Sequence, residues 1–342
     1  MFRKKPRASP MTGPSSEGAP ADFRGDPLRT NNRESSTAQI TRHRVKMPTG
    51  NQHQISHDEF ERLREFIHRH TGISLSDHKR ALVCSRLAKR LRHHGLMTYA
   101  EYYSLLLQND PEGVELMEMI NAITTNKTDF FREAHHFRFL SEKFLPAFKR
   151  AAHYGGTRRM RLWSAGASTG EEPYSLAMTV LEAFPDIHDW DIKILATDID
   201  TNVLARAEGG IYSHEQSQQI PPALLHRYFL KGMKDQEETV MVKPALQELI
   251  RFRRLNLMDS DWPMHGLFDV ILCRNVIIYF DKQTQSRVVS RLGRALQPNG
   301  YLMLGHTESL YGLELGLQPI GLSMYQHTKK PLAALAPVKQ CT

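Results

Sequence analysis

The chain has 342 residues, 40% of them apolar and 24% charged. That is enough for two domains with a buried core, and it excludes a wholly disordered or collagen-like protein. The net charge of +8 sits in the ends: residues 1–54 carry ten Lys and Arg against four acids, and residues 328–342 carry three lysines and no acid. The body, 55–327, is left near −1, which weakens the case for nucleic acid or an anionic surface as the partner of the folded part.

The longest apolar runs, 270–273 and 276–280, fall far short of the ~18 residues of a membrane span, so no membrane insertion is expected. The N-terminus has no apolar signal core. Cys84, Cys273 and Cys341 are widely spaced, which fits a reducing cytoplasm without a disulfide framework. Residues 1–54, rich in Pro, Gly, Ser, Asn and Arg, are expected to form a disordered basic arm.

From Ile55 the pattern turns helical. Ser56 and Glu59 make a capping box, and Phe60, Leu63, Phe66 and Ile67 form one apolar stripe. Gly72 ends that helix. A second, capped by Ser76 or Asp77, runs to about His94 and stops at Gly95. A third spans about 99–108 and a fourth 112–123. Residues 55–125 thus read as a small all-helical domain.

After a helix over about 133–152, strands and helices alternate. Strands are expected at 160–163, 192–196, 268–273 and 301–304, the last preceded by the turn Pro298-Asn299-Gly300. Helices are expected at 173–184, 201–208 and 282–296. This rhythm predicts an open parallel α/β sheet over 126–327. Residues 210–252 break it and read as an inserted small subdomain. The last residues, 328–342, are expected to be a flexible tail.

Four stretches carry chemistry. The first strand runs into Ser164-Ala165-Gly166-Ala167-Ser168-Thr169-Gly170-Glu171-Glu172, a βα turn where glycines such as Gly166 let a ligand approach the backbone. The Gly-x-x-x-Gly spacing departs from the dinucleotide fingerprint, and Glu171 and Glu172 would repel a pyrophosphate. Asp198, at the tip of the second strand, is placed to accept ribose hydroxyls, while Asp200 caps the next helix. A ribose-bearing cofactor without phosphates on such a sheet suggests S-adenosylmethionine. Glu172 would suit its sulfonium electrostatically.

The third stretch, Phe268–Asp281, delivers Arg274 and Asn275 to a strand end, with Tyr279 placed to line a reaction pocket. An ordinary strand exit with Arg274 paired to Asp269 or Asp281 is the structural alternative. The fourth, Asn121–His136, joins the two domains and puts Asn126, Thr128 and Arg132 beside aromatics. A capped linker with a surface Arg is the structural alternative.

On these motifs the sequence resembles the chemotaxis receptor methyltransferases, the CheR family. The matching stretches are TTNKTDFFREAHHF, WSAGASTGEEPYSLAM, ATDIDTNVLARAEGGIY and FDVILCRNVIIYFD. The resemblance covers about 55–327. It implies a class I Rossmann-like methyltransferase sheet behind the helical domain, and methyl transfer from S-adenosylmethionine to glutamate side chains of methyl-accepting chemotaxis receptors, leaving S-adenosylhomocysteine. It implies cofactor contacts at Asn126, Thr128, Arg132, Glu172, Asp198, Asn256, Leu257, Arg274 and Asn275, and it places Arg132, Arg274 and Tyr279 near the transfer centre. The location implied is the cytoplasm, at membrane-bound receptor arrays.

Lys79, Arg86, Lys89 and Arg90 form a basic stripe beside Val83, Leu87 and Leu91 at about 100° per residue. Alone, such a stripe is a solvated helix face. With the resemblance it becomes a docking surface for the receptors' helical, glutamate-bearing methylation region. The insert resembles a β-subdomain that in some members tethers a receptor's C-terminal pentapeptide by strand addition. Residues 231–238 lack the additional glycines expected of a tethering loop, so that partner is left open. Seventeen histidines have no Cys or carboxylate at metal spacing, and no metal site is expected. A nucleic-acid methyltransferase and a cofactor-binding protein without catalysis are the rival readings. The near-neutral body and the absence of a base-stacking motif count against the first, and intact Arg132, Arg274 and Tyr279 count against the second.

Overall fold

The computed structural model describes residues 55–232, 237–310 and 316–328. The expected basic arm and nearly all of the expected tail lie outside the described residues. Helix α1 (His57–Thr71) begins at the capping box that Ser56 and Glu59 predict and ends at Gly72, whose φ of 73° is left-handed. Helix α2 (Arg80–His94) follows a single 3-10 turn, Asp77–Lys79. Lys79 therefore occupies the cap position, and neither Ser76 nor Asp77 caps α2. Gly95 closes α2 as expected.

Helices α3 (Tyr99–Gln108) and α4 (Val114–Ile123) complete the helical domain. The apolar stripe of α1 meets Val83, Leu87 and Leu91 of α2 and Tyr99, Tyr102, Met119 and Ile120 in one core. Glu115 is buried at its edge, and it accepts hydrogen bonds from Arg90, from Tyr102 (2.6 Å) and from His94 (2.7 Å). A carboxylate so buried is tolerable only with such partners.

The helix expected over 133–152 is divided. Helix α5 (Ala134–Phe139) passes through a π turn, Leu140–Phe144, into α6 (Leu145–His153). Pro146 lacks the N–H that would close the regular ladder across this point. The alternation then runs β1 (Arg159–Ala165), α7 (Glu171–Ala183), β2 (Asp191–Asp198) and α8 (Thr201–Gly209).

The insert contributes β3 (Ile211–Ser213), α9 (His214–Ser217), α10 (Pro222–Tyr228), β4 (Phe229–Lys231), β5 (Thr239–Val242) and α11 (Pro244–Gln247). Its three strands form their own antiparallel sheet, β3-β5-β4. One boundary differs from expectation. The piece 249–252, read as part of the insert, belongs to β6 (Ile250–Arg254), which pairs parallel to β2 in the main sheet. The stretch bearing on pentapeptide tethering is described only at its ends, since 233–236 lie outside the described residues.

Strand β7 (Phe268–Cys273), helix α12 (Lys282–Arg294) and β8 (Leu296–Leu304) follow. The expected turn at 298–300 is instead a bulge in β8: Phe268 pairs with Leu296, and Val270 already pairs with Tyr301. Two strands were not expected, β9 (Leu317–Gly321) and β10 (Met324–His327). They close the sheet with an antiparallel edge, giving the order β6-β2-β1-β7-β8-β10-β9.

Alternate residues of β1 face opposite layers, as the strand period requires. Leu162 joins the core with α7 and α5, while Trp163 joins the core with α12. The chain leaves β1 toward β2 and β6 and later returns to lay β7 on the other side of β1. That reversal is a topological switch point, where open α/β sheets bind ligands at their carboxyl ends.

Asp200 holds the two domains together there. Its Oδ1 caps α8 by accepting the N–H groups of Asn202 (2.9 Å) and Val203 (3.2 Å). Its Oδ2 accepts from Thr124 Oγ1 (2.6 Å) and Asn126 Nδ2 (2.7 Å) in the inter-domain segment. Asp200→Ala removes both sets of bonds at a buried site and is expected to lower unfolding free energy by about 2–3 kcal/mol. Urea unfolding checks this as a lower midpoint at unchanged slope.

Candidate functional site

A cleft of about 1060 Å³, open to solvent, lies between the carboxyl ends of β1, β2 and β7 and the helical domain. Its floor is the turn after β1. The N–H groups of Gly166 and Ala167 both donate to the Thr197 carbonyl (2.8 and 2.9 Å), which ties the turn to the end of β2. Gly166 has φ 90°, and a Cβ there would lie 2.2 Å from Val276 Cγ2. Only glycine lets the loop after β7 approach this closely.

Asp198 lines the cleft, accepting the Ser168 N–H at Oδ2 (2.8 Å) and the Asp200 N–H at Oδ1 (3.0 Å). Burial pushes its carboxyl up, and these N–H groups oppose the shift. One donor on each oxygen leaves acceptor capacity among the roughly four positions of a carboxylate. Asp200 caps α8 as the sequence suggested, and Asp198 keeps acceptors at the cleft. With Gly166 also lining the cleft, these residues suit a nucleoside.

Arg274, at the end of β7, has a side chain 1% exposed. Its Nη1 donates to Glu172 Oε2 (3.1 Å), its Nη2 donates to the Arg132 carbonyl, and Glu133 Oε2 lies 3.4 Å away. Neither Asp269 nor Asp281 pairs with it. Glu172 sits beside this guanidinium, its Oε2 held by Arg274 and its Oε1 by Ser164 Oγ (2.7 Å), so each of its oxygens, like those of Asp198, carries one donor. Burial raises the Glu172 carboxyl and Arg274 opposes this. Arg274 reaches the cleft, but its guanidinium is committed to acids that position the wall.

The remaining expected cofactor residues, Asn126, Thr128, Arg132, Asn256, Leu257 and Asn275, all line the cleft, as does Tyr279. Arg132 donates one N–H to the Lys127 carbonyl (3.1 Å). Asn256 donates to the His70 carbonyl at the end of α1 (2.6 Å). Tyr279 accepts the Ser74 N–H at its carbonyl (2.7 Å). These last two contacts clamp the helical domain over the cleft. Among the described residues, six non-glycines have positive φ, and four of them, Phe131, Glu133, Ser168 and Asn275, flank this site. Such strain collects where surrounding structure over-determines a functional geometry.

The basic stripe on α2 is only partly a surface. Lys79 and Arg86 line the cleft mouth, with Lys79 Nζ 5.5 Å from the centre of the Tyr279 ring. Lys89 is exposed. Arg86 donates to the Ile123 carbonyl, to the Thr124 carbonyl (3.1 Å) and to Thr125 Oγ1 (3.0 Å), so it caps the end of α4. Arg90 is a correction, since Glu115 holds it inside the helical domain with Glu118 3.4 Å away. Its charge answers a buried carboxylate rather than a partner.

The expectation that no carboxylate accompanies the histidine pairs is also corrected. Glu133, His135 and His136 each bring one potential ligand atom within 4.8 Å of the others. Arg274 already supplies the positive charge facing Glu133. Sequence reasoning missed Thr124 and the junction role of Asp200. The threonine pair before Asn126 was visible, but nothing local signalled its partner 76 residues away.

His136 is fully buried. Burial first, and then the Arg274 charge, pull its pKa down to about 3. The unfolded chain protonates this imidazole below about pH 6.5 while the folded chain keeps it neutral. Between these values the unfolded state binds more protons, so stability rises with pH and is lost as pH falls. We expect unfolding free energy to drop by up to about 1.4 kcal/mol per unit from pH 6 to 5 through this group. Urea unfolding should show the slope, and His136→Gln should flatten it.

Comparison with known proteins agrees with this geometry. Residues 126–325 match the model for "CheR methyltransferase, SAM binding domain", and residues 58–124 match "CheR methyltransferase, all-alpha domain". The chain is 42% identical over 277 residues to Chemotaxis protein methyltransferase 2 of Pseudomonas aeruginosa, covering 81% of this chain and 95% of that one. It is 42% identical over 276 residues to the Chemotaxis protein methyltransferase of Escherichia coli K12, covering 80% and 92%. To that of Klebsiella aerogenes it is 41% identical over 276 residues, covering 81% and 91%. With an all-helical domain before a seven-stranded sheet whose switch point carries the cleft, the chain belongs to the CheR methyltransferase family and is an S-adenosylmethionine-dependent methyltransferase of the class I fold.

Proposed function

We propose that this protein methylates glutamate side-chain carboxylates of methyl-accepting chemotaxis receptors, and so takes part in chemotactic adaptation. The relatives named as chemotaxis protein methyltransferases support the process. The observation that carries the chemistry is the meeting, in one cleft, of Asp198 on the floor with Arg132 and Tyr279 beneath the basic end of α2. The receptors are membrane-bound, and no described helix of this chain is long and apolar enough to cross a membrane. In this reading the enzyme acts on receptor arrays from the cytoplasm.

Asp198 would hold the ribose of S-adenosylmethionine, with Asn126, Asn256 and Asn275 as further polar contacts. The cofactor supplies an electrophilic methyl group on a sulfonium. A glutamate side chain is already ionised at pH 7, with a reference pKa near ~4.3, so no general base is needed. Its oxygen gains the methyl as the bond to sulfur breaks, and an uncharged ester results.

The chain's own residues contribute position and desolvation. Arg132 keeps guanidinium N–H groups beyond the one given to Lys127, enough to orient an incoming carboxylate. Tyr279, at the mouth, orients the acceptor through its hydroxyl. Lys79 and Lys89 attract the acidic helical face of the receptor, Arg86 contributes charge from its cap, and Arg90 contributes nothing directly. Each methylation removes one negative charge, which can bias a two-state receptor.

Labelled S-adenosylmethionine with receptor-containing membranes should give base-labile label released as methanol. Label that resists base would move the acceptor to nitrogen or nucleic acid. Tyr279→Phe should lower kcat/KM about tenfold, roughly the value of one hydrogen bond to charge. Unchanged kcat/KM would remove the hydroxyl from the mechanism. Lys79→Glu with Lys89→Glu should raise the receptor KM about tenfold at low salt, less at high salt. Calorimetry should find S-adenosylhomocysteine affinity intact in that double variant.

A further inference from the structure

The loop from Arg274 to Tyr279 carries two of the residues placed at the transfer centre, Arg274 and Tyr279, together with Asn275, and a single 3-10 turn, Ile277–Tyr279, is its one regular piece. Asn275 sits at φ 59°, a left-handed conformation that non-glycine residues adopt rarely and that persists where the surroundings enforce it. The enforcing group is Glu308, in the segment that follows β8. Its side chain is buried. Oε2 accepts the N–H of Asn275 (2.9 Å) and of Gly305 (2.5 Å), and Oε1 accepts the N–H of Ile278 (3.1 Å).

One carboxylate thus takes donors from both ends of the loop. The arrangement also explains Gly305. A Cβ at that position would lie 2.6 Å from Asn275 Nδ2 and 2.8 Å from Glu308 Oε2, so only glycine lets the acid reach the loop. Between the two anchored N–H groups, Val276 is pressed against the Gly166 turn on the cleft floor. The fold of the loop, the floor of the cleft and the placement of Asn275 and Tyr279 therefore share one anchor.

We propose that Glu308 is a positioning residue for methyl transfer, acting on the cofactor through Asn275 and on the acceptor through Tyr279. It is not among the residues that line the cleft, and its oxygens go to the loop backbone. Its two oxygens accept from three backbone N–H donors, which oppose the upward push of burial on the carboxyl. An amide at this position would turn an N–H₂ group toward N–H donors, and the loop would relax from its left-handed turn.

The test uses the full chain. Glu308→Gln should remain folded by circular dichroism while its S-adenosylhomocysteine affinity, by calorimetry, falls about tenfold and kcat falls about tenfold or more. Glu308→Asp keeps both oxygens on a shorter arm and should lie between this variant and the wild type. In a double-mutant cycle, the kcat losses of Glu308→Gln and Tyr279→Phe should fall short of multiplying, because one acts through the other. Wild-type affinity and kcat in both Glu308 variants would overturn the proposal. So would kcat losses that multiply in full. If Glu308→Gln does not fold, Glu308→Asp carries the same cycle. The proposal rests on reading the cleft as the methyl-transfer site. Product affinity is measured without an acceptor, so an error about receptor glutamates would leave that arm standing.

Discussion

The buried guanidinium of Arg274 is the constraint around which the cleft wall is organised. A cation taken out of water costs several kcal/mol unless it is paired and hydrogen-bonded. Arg274 meets that condition with Glu172 of α7, Glu133 ahead of α5 and the Arg132 carbonyl. Two chain segments, 132–133 and the start of α7, must therefore converge on the end of β7. Glu133 in turn accepts the His306 N–H (3.0 Å), so the segment after β8 joins the same network. Burial alone would raise the Glu133 carboxyl, but the His306 N–H and the Arg274 charge outweigh it and leave it lowered. His136, packed beside these charges, pays by staying neutral.

This network changes the meaning of two acids. Glu172 and Asp198 look alike in sequence, each following a strand of the sheet. In the fold, Glu172 is the counter-ion of Arg274 and Asp198 lines the cleft. The difference lies in what each can reach. The Glu172 oxygens meet the Ser164 and Arg274 side chains, whereas Asp198 receives backbone N–H groups from its own turn and the neighbouring one. Asp200, two residues on, is spent on α8 and on the inter-domain segment. Neighbouring carboxylates thus divide into cleft lining, helix cap and domain clamp.

The helical domain obeys the same economy of charge. Buried Glu115 draws Arg90 and His94 inward, and the bare carbonyls at the end of α4 draw Arg86. Of the four cations in the α2 stripe, Lys89 is exposed and Lys79 and Arg86 line the cleft mouth.

Most of the architecture was legible along the chain. The Ser56–Glu59 box, the stops at Gly72 and Gly95 and the strand–helix alternation are local signals, each set by backbone propensity or hydrophobic period. The turn around Gly166, the tip at Asp198 and the Arg274–Asn275 exit were legible for the same reason: a strand end followed by a helix start restricts where polar residues can point. The short edge strands β9 and β10 were not, because Leu317–Gly321 contains a proline and gains its strand character only by pairing with β10. Strand β6 was assigned to the insert because periodicity cannot say which sheet a strand joins.

The sequence by itself determined the class of fold, the residues that gather at the switch point and the kind of cofactor they suit, because these follow from motifs a few residues long. Tertiary structure alone decided which charges face the cleft and which are consumed inside. Pairings such as Arg274 with Glu172, Arg90 with Glu115 and Glu308 with the Asn275 loop join residues 25 to 102 positions apart. Burial, which decides whether a charge must find a partner, is a property of the packed chain and of no single stretch of it.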